Sequence, residues 1–547
     1  MKNLFWVIVL FVYASCANVV APMGGPADLL PPTVVSSTPV SGSVNFLSKE
    51  ITIRFNEFIQ LKDVNKSFLI SPPMAKAPDF KIKGKSLKIV FKDSLRANTT
   101  YTLNFGGAIA DLNEANVLAG YQYTFSTGSS RDTLTIGGNI QNAFSLNAEA
   151  DVLVMLYRAI QDSIPYKKIP DFISKTNSTG DFSFIALPAG VYKIFAIRDK
   201  DADYLFSQPG EEISFLDSLV VPVPRDTGRR SVIKSRYELF LFKEELKRLF
   251  LLGKSASAPG RFQLYFNKRA DSVQFYPLQK FPEGTLLTEW NTGHDTLTGW
   301  ITKMKLDTLR LGITGPTGLS DTLELPFTIS AKAQRMGKGV AEKKSSFKSP
   351  AQTGFQDATL PLQITFNNPV DSLFQERMFL SEENDTVPFK VFFTDSLKRN
   401  FQLLYKWKEG KRYRFIANAG AFTDILALRS DSIKLNFNIR NPKDFGLLRI
   451  VTDPIPAGFI LQLLTEKNDI VREVISDGKT TFEMNKILPG KYKLKLIADE
   501  DHNGRWTTGN YLRNIQPEKV FLNAKQILIK PDWDTEVEWR GNFIISR

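Results

Sequence analysis

One passage is written twice in this chain. Residues 488–509 read LPGKYKLKLIADEDHNGRWTTG, and residues 187–210 read LPAGVYKIFAIRDKDADYLFSQPG. Each opens on a turn containing Pro and Gly, passes into an alternating strand and ends in an acidic loop. Tyr192 answers to Tyr492, and Asp199 to Asp499. A repeat of this size points to modules rather than to one core. Length agrees, because 547 residues at about 100–150 per domain make about four or five units.

The text between the repeats is strand text. Ile51, Ile53 and Phe55 alternate with Thr52, Arg54 and Asn56, and SLKIVF, TYTLNF and YQYTFST follow before residue 128. Phe is abundant, at 42 residues, and aromatic and β-branched residues favour strands. A hydrophobic content of 43% excludes a disordered chain. Short strands divided by turn residues predict an all-β chain of tandem β-sandwich modules.

The first residues are a processing signal rather than structure. Lys2 precedes an apolar run, LFWVIVLFV, at 4–12, and small residues Ala14 and Ser15 lead to Cys16. The run is too short to span a bilayer, which needs about 20 residues, so it reads as a signal peptide. Cys16 is the only cysteine, and its place after the apolar run resembles a lipoprotein lipobox. That resemblance implies cleavage after residue 15 and acylation of Cys16. Residues 16–32 then form a Pro- and Gly-containing tether.

Residues 31–45, PPTVVSSTPVSGSVN, lead to the strand ending at Phe55-Asn56, then to DSLRANTTYTLNF and a closing YTFST. This resembles the bacterial Ig-like domain of S-layer proteins. With the tether ahead of it, it resembles a family of Bacteroidetes Ig-like lipoproteins, which implies a fold and an envelope location but no activity. Phe-Asn recurs at Phe266-Asn267 and Phe366-Asn367, and KEGKRYRF aligns Tyr413 with Tyr101. The passage with which we began resembles the prealbumin-like sandwich of collagen-adhesin B-type modules. The expected layout is Ig-like at 33–128, prealbumin-like at 132–225, a connector and degenerate Ig-like unit at 237–330, a basic linker at 331–351, Ig-like at 352–441 and prealbumin-like at 444–547. Within the connector, 237–254 reads equally as strand or short helix.

Chemistry is sparsely signalled. A Ser-His-Asp or Cys-His site needs an imidazole to shuttle the proton, yet only His294 and His502 exist and the single cysteine, Cys16, is assigned to lipid. No P-loop, G-x-S-x-G elbow or H-E-x-x-H is present. The acidic loops are the sharpest candidates. Asp499, Asp501 and Asn503 fall at positions 1, 3 and 5 of a calcium-type loop, Gly504 at 6 and the Arg505 carbonyl at 7, with Asn510 where a bidentate Glu is wanted. Upstream, Asp199, Asp201 and Asp203 fit, but Tyr204 replaces the glycine, and Glu211 and Glu212 follow position 12. The alternative is a solvated turn in which Asp and Asn cap backbone amides. Calcium is the one cofactor the sequence offers.

A further pattern, Asp-(Ser/Thr)-aliphatic, presents Ser94, Thr133, Ser218, Thr296, Thr308, Ser372 and Ser396. It resembles the O-glycosylation acceptor of Bacteroidetes exported proteins; equally, Asp turns the chain and Ser or Thr begins a strand. The net charge of +13 is dispersed apart from Lys332, Arg335, Lys338, Lys343, Lys344 and Lys348. No platform interleaves aromatic and basic residues, so nucleic acid is not an expected partner.

The expectation is a non-catalytic lipoprotein held at the outer membrane by its N-terminal lipid. Its role is structural, or it binds envelope proteins or polysaccharide. The alternatives are a surface adhesin for glycan or protein and, more distantly, a glycosidase with paired carboxylates. Ala17, Asn18 and Val19 give no acidic cluster after Cys16, which favours the periplasmic face.

Overall fold

The computed structural model describes residues 28–541 except 209, 225–236, 246–247, 258–259, 303–305, 328–344, 455–457, 477 and 524. The signal segment, Cys16 and most of the basic stretch therefore lie outside the described residues. The chain forms two compact units: residues up to Lys243 together with Tyr511–Asn514, and the remainder.

In the first unit the leading module is a sandwich. Val34–Thr38, Glu50–Phe55, Ser86–Val90 and Asp79–Lys83 lie side by side in that order, facing Leu69–Ser71, Thr100–Asn104 and Gln122–Ser126. The alternation read in the sequence sets the faces: Ile51, Ile53 and Phe55 are buried, and Arg54 is exposed. Burying each such side chain is worth about 1.5–3 kcal/mol. Phe125 gathers Phe46, Phe91, Tyr101 and Tyr123 around it.

The next module has one continuous path of strands. Phe172–Lys175, Leu153–Tyr157, Lys193–Ile197 and Glu212–Phe215 reach Tyr237–Lys243, which continues to Leu134–Asn142 and Asp181–Leu187. Tyr237–Lys243 runs parallel to Leu134–Asn142 and antiparallel to Glu212–Phe215, so one strand serves both layers. The ambiguous connector is thus strand, not helix, and its first half completes this module beyond residue 225. Gly138 permits the approach, since a Cβ there would lie 2.2 Å from the Tyr237 carbonyl oxygen. Tyr511 is buried in this unit, its ring 4.9 Å from Phe215 and its hydroxyl donating to Asp162 O at 2.7 Å. The two modules of the unit meet where Ile173 N donates to Ser71 Oγ at 3.0 Å and Lys175 Nζ to Lys66 O at 3.0 Å.

The second unit repeats both designs. Leu251–Ser257, Arg261–Phe266, Thr296–Ile301 and Leu286–Trp290 oppose Gln274–Pro277, Thr308–Gly315 and Leu319–Pro326. This is the strand order of the first module, so the degenerate stretch keeps the Ig-like arrangement. The order recurs with Phe347–Lys348, Leu362–Phe366, Asn400–Leu404 and Lys390–Phe393 against Met378–Glu382, Arg412–Ala417 and Ile433–Ile439. Part of the expected linker belongs here: Phe347–Lys348 pairs with Leu362–Phe366, and Ala351 is fully buried. Apolar Phe347 and Ala351, set among the lysines, give this end of the stretch something to bury. The final module pairs Gly446–Thr452 in parallel with Asp534–Trp539, as in the second module.

Aligned tyrosines do the same work in paired modules. Tyr101 and Tyr413 each accept a backbone N–H from five residues upstream, Arg96 at 2.8 Å and Lys408 at 2.9 Å. Tyr192 and Tyr492 each donate to a carbonyl four residues upstream, Pro188 at 2.9 Å and Leu488 at 2.7 Å. The LP-x-G-x-Y turn at 187–192 and the LP-G-x-Y turn at 488–492 are therefore each closed by their own tyrosine.

Trp300 fastens the third module to the fourth. It is wholly buried, and its Nε1 donates to Asn368 Oδ1 at 3.0 Å. Asn368, also wholly buried, passes Nδ2 to Asp424 Oδ2 at 2.8 Å. The Arg399 guanidinium lies 5.2 Å from the Trp300 ring and pairs with Glu289.

Candidate functional site

The two acidic loops adopt one conformation. Each follows the strand that leaves one of these tyrosine-closed turns: Lys193–Ile197 upstream and Gly490–Asp499 downstream. Asp199 accepts Ala202 N at 2.8 Å and Tyr204 N at 3.0 Å. Asp499 accepts Asn503 N and Gly504 N, both at 3.0 Å. Positions 4 and 6 are left-handed in both loops: Ala202 and Tyr204 at φ 61° and 63°, His502 and Gly504 at 56° and 74°. The missing glycine upstream therefore does not change the turn, because Tyr204 takes the glycine conformation. Non-Gly residues there carry strain, commonly about 1–3 kcal/mol each, which the surrounding hydrogen bonds sustain.

The structure brings Asp199, Asp201 and Asp203 together, with carboxylate oxygens within 4.8 Å of one another. Downstream it gathers Asp499, Asp501 and Glu518 to the same limit. Asn503 stays in the loop: its Nδ2 donates to Asp501 Oδ2 at 2.7 Å, and its Oδ1 accepts Arg505 N at 2.9 Å.

Glu518 is the residue that sequence reasoning missed. It lies far beyond position 12, where Asn510 stands. It is buried and accepts Glu500 N at 2.8 Å and Thr507 N at 2.7 Å. Glu211 does the same upstream, accepting Lys200 N at 3.2 Å, Ser207 N at 3.0 Å and Gln208 N at 3.1 Å. A signal was present: Glu211 closes QPGE at 208–211, and Glu518 closes QPE at 516–518.

The electrostatics of the two loops agree. Burial pushes the Asp199 carboxyl up, the Tyr204 and Ala202 amides pull it partly back, and the charges of Asp203 and Glu211 push it up again. Burial likewise raises Glu518 against the pull of the Thr507, Asp501 and Glu500 amides, and the Asp501 charge adds to the rise. Both loops concentrate negative charge that their hydrogen bonds do not fully offset. Hard oxygen donors in this arrangement fit Ca²⁺.

The other candidates are dispersed. His294 Nδ1 lies 2.6 Å from Asp271 Oδ1, in a turn that stacks on Trp290. Of the hydroxyls in the Asp-(Ser/Thr)-aliphatic pattern, Ser94, Thr133, Ser218 and Ser396 are exposed, whereas Thr296, Thr308 and Ser372 are half-buried. Thr296 and Ser372 donate to the preceding Asp295 and Asp371 at 2.9 and 2.6 Å. That is strand-start geometry.

Residues 28–127 match the family described as Bacterial Ig-like domain. The leading module is an Ig-like domain. No curated protein matches the chain. Among solved structures, the chain is similar to the S-layer protein rSbsC at 10% identity and TM-score 0.14, over 88% of this chain and 67% of that one. It is similar to the major pilin subunit BcpA of Bacillus cereus at 10% identity and TM-score 0.13, over 75% and 99%. A third likeness, at 8% identity and TM-score 0.18 over 43% and 68%, is to SGBP-B of the Bacteroides ovatus mixed-linkage glucan utilization locus. Among the described residues no helix is long and apolar enough to cross a membrane.

Proposed function

We propose that this chain is a non-catalytic lipoprotein of the cell envelope, acylated at Cys16 and held at the periplasmic face of the outer membrane. Its sandwiches act there as a scaffold that holds or binds envelope proteins or polysaccharide. The observation that carries this reading is the joint at Trp300. A fully buried indole and a buried Asn–Asp pair turn two adjacent sandwiches into one stiff piece. Such investment in a joint suits a spacer or scaffold, whose loops vary on a rigid frame. Protease treatment of intact and lysed cells tests the placement. Protection until lysis is expected; digestion on intact cells would favour an outward-facing adhesin instead.

The acidic loops add calcium to this reading. Asp199, Asp201 and Asp203 would hold one ion, and Asp499, Asp501, Asn503, the Arg505 carbonyl and Glu518 a second. A cation there would offset the burial, and the smaller push of neighbouring charges, that raise Asp199 and Glu518. Millimolar Ca²⁺ is expected to raise the melting temperature over that in chelator, and Asp501→Asn to reduce the gain. Equal melting temperatures with calcium and with chelator would remove the proposal. The exposed Ser94, Thr133, Ser218 and Ser396 remain the best-placed glycan acceptors.

A further inference from the structure

The first module carries an amphipathic patch where the chain enters it. Asn116 Nδ2 donates to Asp28 O at 2.7 Å, and Thr33 N donates to Asn56 Oδ1 at 2.7 Å. Leu29 and Leu30 therefore sit at the end of the sandwich that bears Asn56 and Asn116. They are 82% and 71% exposed, and Phe58 and Leu112, joined by a 3.0 Å backbone hydrogen bond, are each 54% exposed. Single exposed apolar residues are ordinary, but a group of four at one end of a domain marks an interaction surface.

Cations border the group. Lys85 Nζ bonds to Asn56 O at 2.7 Å and stands 5.6 Å from the Phe58 ring centroid. Register places Arg54 and Lys83 on either side of Ser86, on the outward face of the sheet. Among the described residues neither has an acidic partner. In the next outward row Lys81 stands directly opposite Lys88, whose ammonium pairs with Glu50 at 2.7 Å. The fold does not demand these charges. The matching outward rows of the fourth module hold Gln363 with Gln402 and Thr365 with Asn400.

Residues 17–27 separate Cys16 from Asp28, and a fully extended chain of that length reaches about 40 Å at most. We propose that this end of the first module docks on an anionic lipid surface. Leu29, Leu30, Phe58 and Leu112 enter the acyl boundary, and Arg54, Lys83 and Lys85 meet the headgroup phosphates. The placement rests on the reading of Cys16 as the lipid attachment point; apolar insertion flanked by cations is the general mode of interfacial binding.

The test uses residues 17–547 without an acyl group, sedimented with vesicles of phosphatidylglycerol in phosphatidylcholine and of phosphatidylcholine alone. Binding is expected to the anionic vesicles and to weaken with salt. Each surface cation contributes roughly fivefold, so Arg54→Gln, Lys83→Gln and Lys85→Gln together should weaken binding on the order of 100-fold. Phe58→Ser with Leu112→Ser should also weaken it, while all variants keep the wild-type circular dichroism spectrum. Equal binding to both vesicle types, or indifference to the three cation changes, would overturn the inference. So would binding of a soluble acidic polysaccharide through the same cations without vesicle binding. Mass analysis of the cell-derived N-terminus separates the two readings. Vesicle binding by a chain that is never acylated would sink only the lipid anchor, and an acylated chain with no patch-dependent binding would sink only this proposal.

Discussion

Trp300→Ala should lower the stability of the second unit by about 3–5 kcal/mol, the range for emptying a site this large. The indole is wholly buried, and Asn368 and Arg399 of the neighbouring module lie against it. Losing it also removes the Trp300 hydrogen bond to Asn368 Oδ1 and the ring beneath Arg399. The half-buried Arg399 then relies on Glu289 and the Phe366 carbonyl among the described residues. Trp300→Phe fills most of the volume and should recover about half of the loss. A multi-module chain does not melt in one step, so calorimetry is the right measurement. In the wild type the third and fourth modules should melt as one transition. In Trp300→Ala that transition should drop and split. An unchanged thermogram would mean that the joint contributes nothing.

The second large effect is expected at Glu211 and Glu518. Glu211→Ala removes the acceptor for three backbone amides at once, and Glu518→Ala for at least two. At about 1–3 kcal/mol for each donor left dry, either change should cost about 3–5 kcal/mol once solvent re-enters the loop. Glu→Gln should cost less, because one oxygen remains, though its NH₂ then faces an amide donor. Hydrogen exchange gives the direct readout. The amides of Lys200, Ser207 and Gln208 should lose protection in Glu211→Ala while those of the core strand Lys193–Ile197 keep theirs. Retained protection at all three would show that the carboxylate is dispensable.

The sequence was informative where chemistry is local. Alternation at Ile51, Ile53 and Phe55 gave the buried face, and the aligned tyrosines gave the module repeats, because side-chain period and turn closure depend on near neighbours. The acidic loops were legible as far as Asp499, Asp501 and Asn503 for the same reason. Glu518 was not, because an insertion carries it past the spacing that a calcium loop prescribes. Nor was the assignment of Tyr237–Lys243: its two partners, Leu134–Asn142 and Glu212–Phe215, are distant in sequence, and YELFLFK has no periodicity that chooses between strand and helix. The joint at Trp300 was invisible too, since a Trp within an alternating strand does not announce which neighbour will cover it.

The parallel pairing of first and last strands has a consequence for how the chain is made. Leu134–Asn142 is among the first segments of its module to emerge, but its parallel partner, Tyr237–Lys243, is the last. Gly446–Thr452 waits likewise for Asp534–Trp539. During synthesis, each of these two sandwiches must hold an open strand edge until nearly its whole length has emerged. Such an edge is a template for mispairing with any other extended chain. The fourth module has the same feature on a smaller scale, since Phe355–Gln356 pairs in parallel with its last strand, Ile433–Ile439. Slow synthesis should therefore harm the second and fifth modules most, where five and six residue pairs wait for the last strand against two in the fourth.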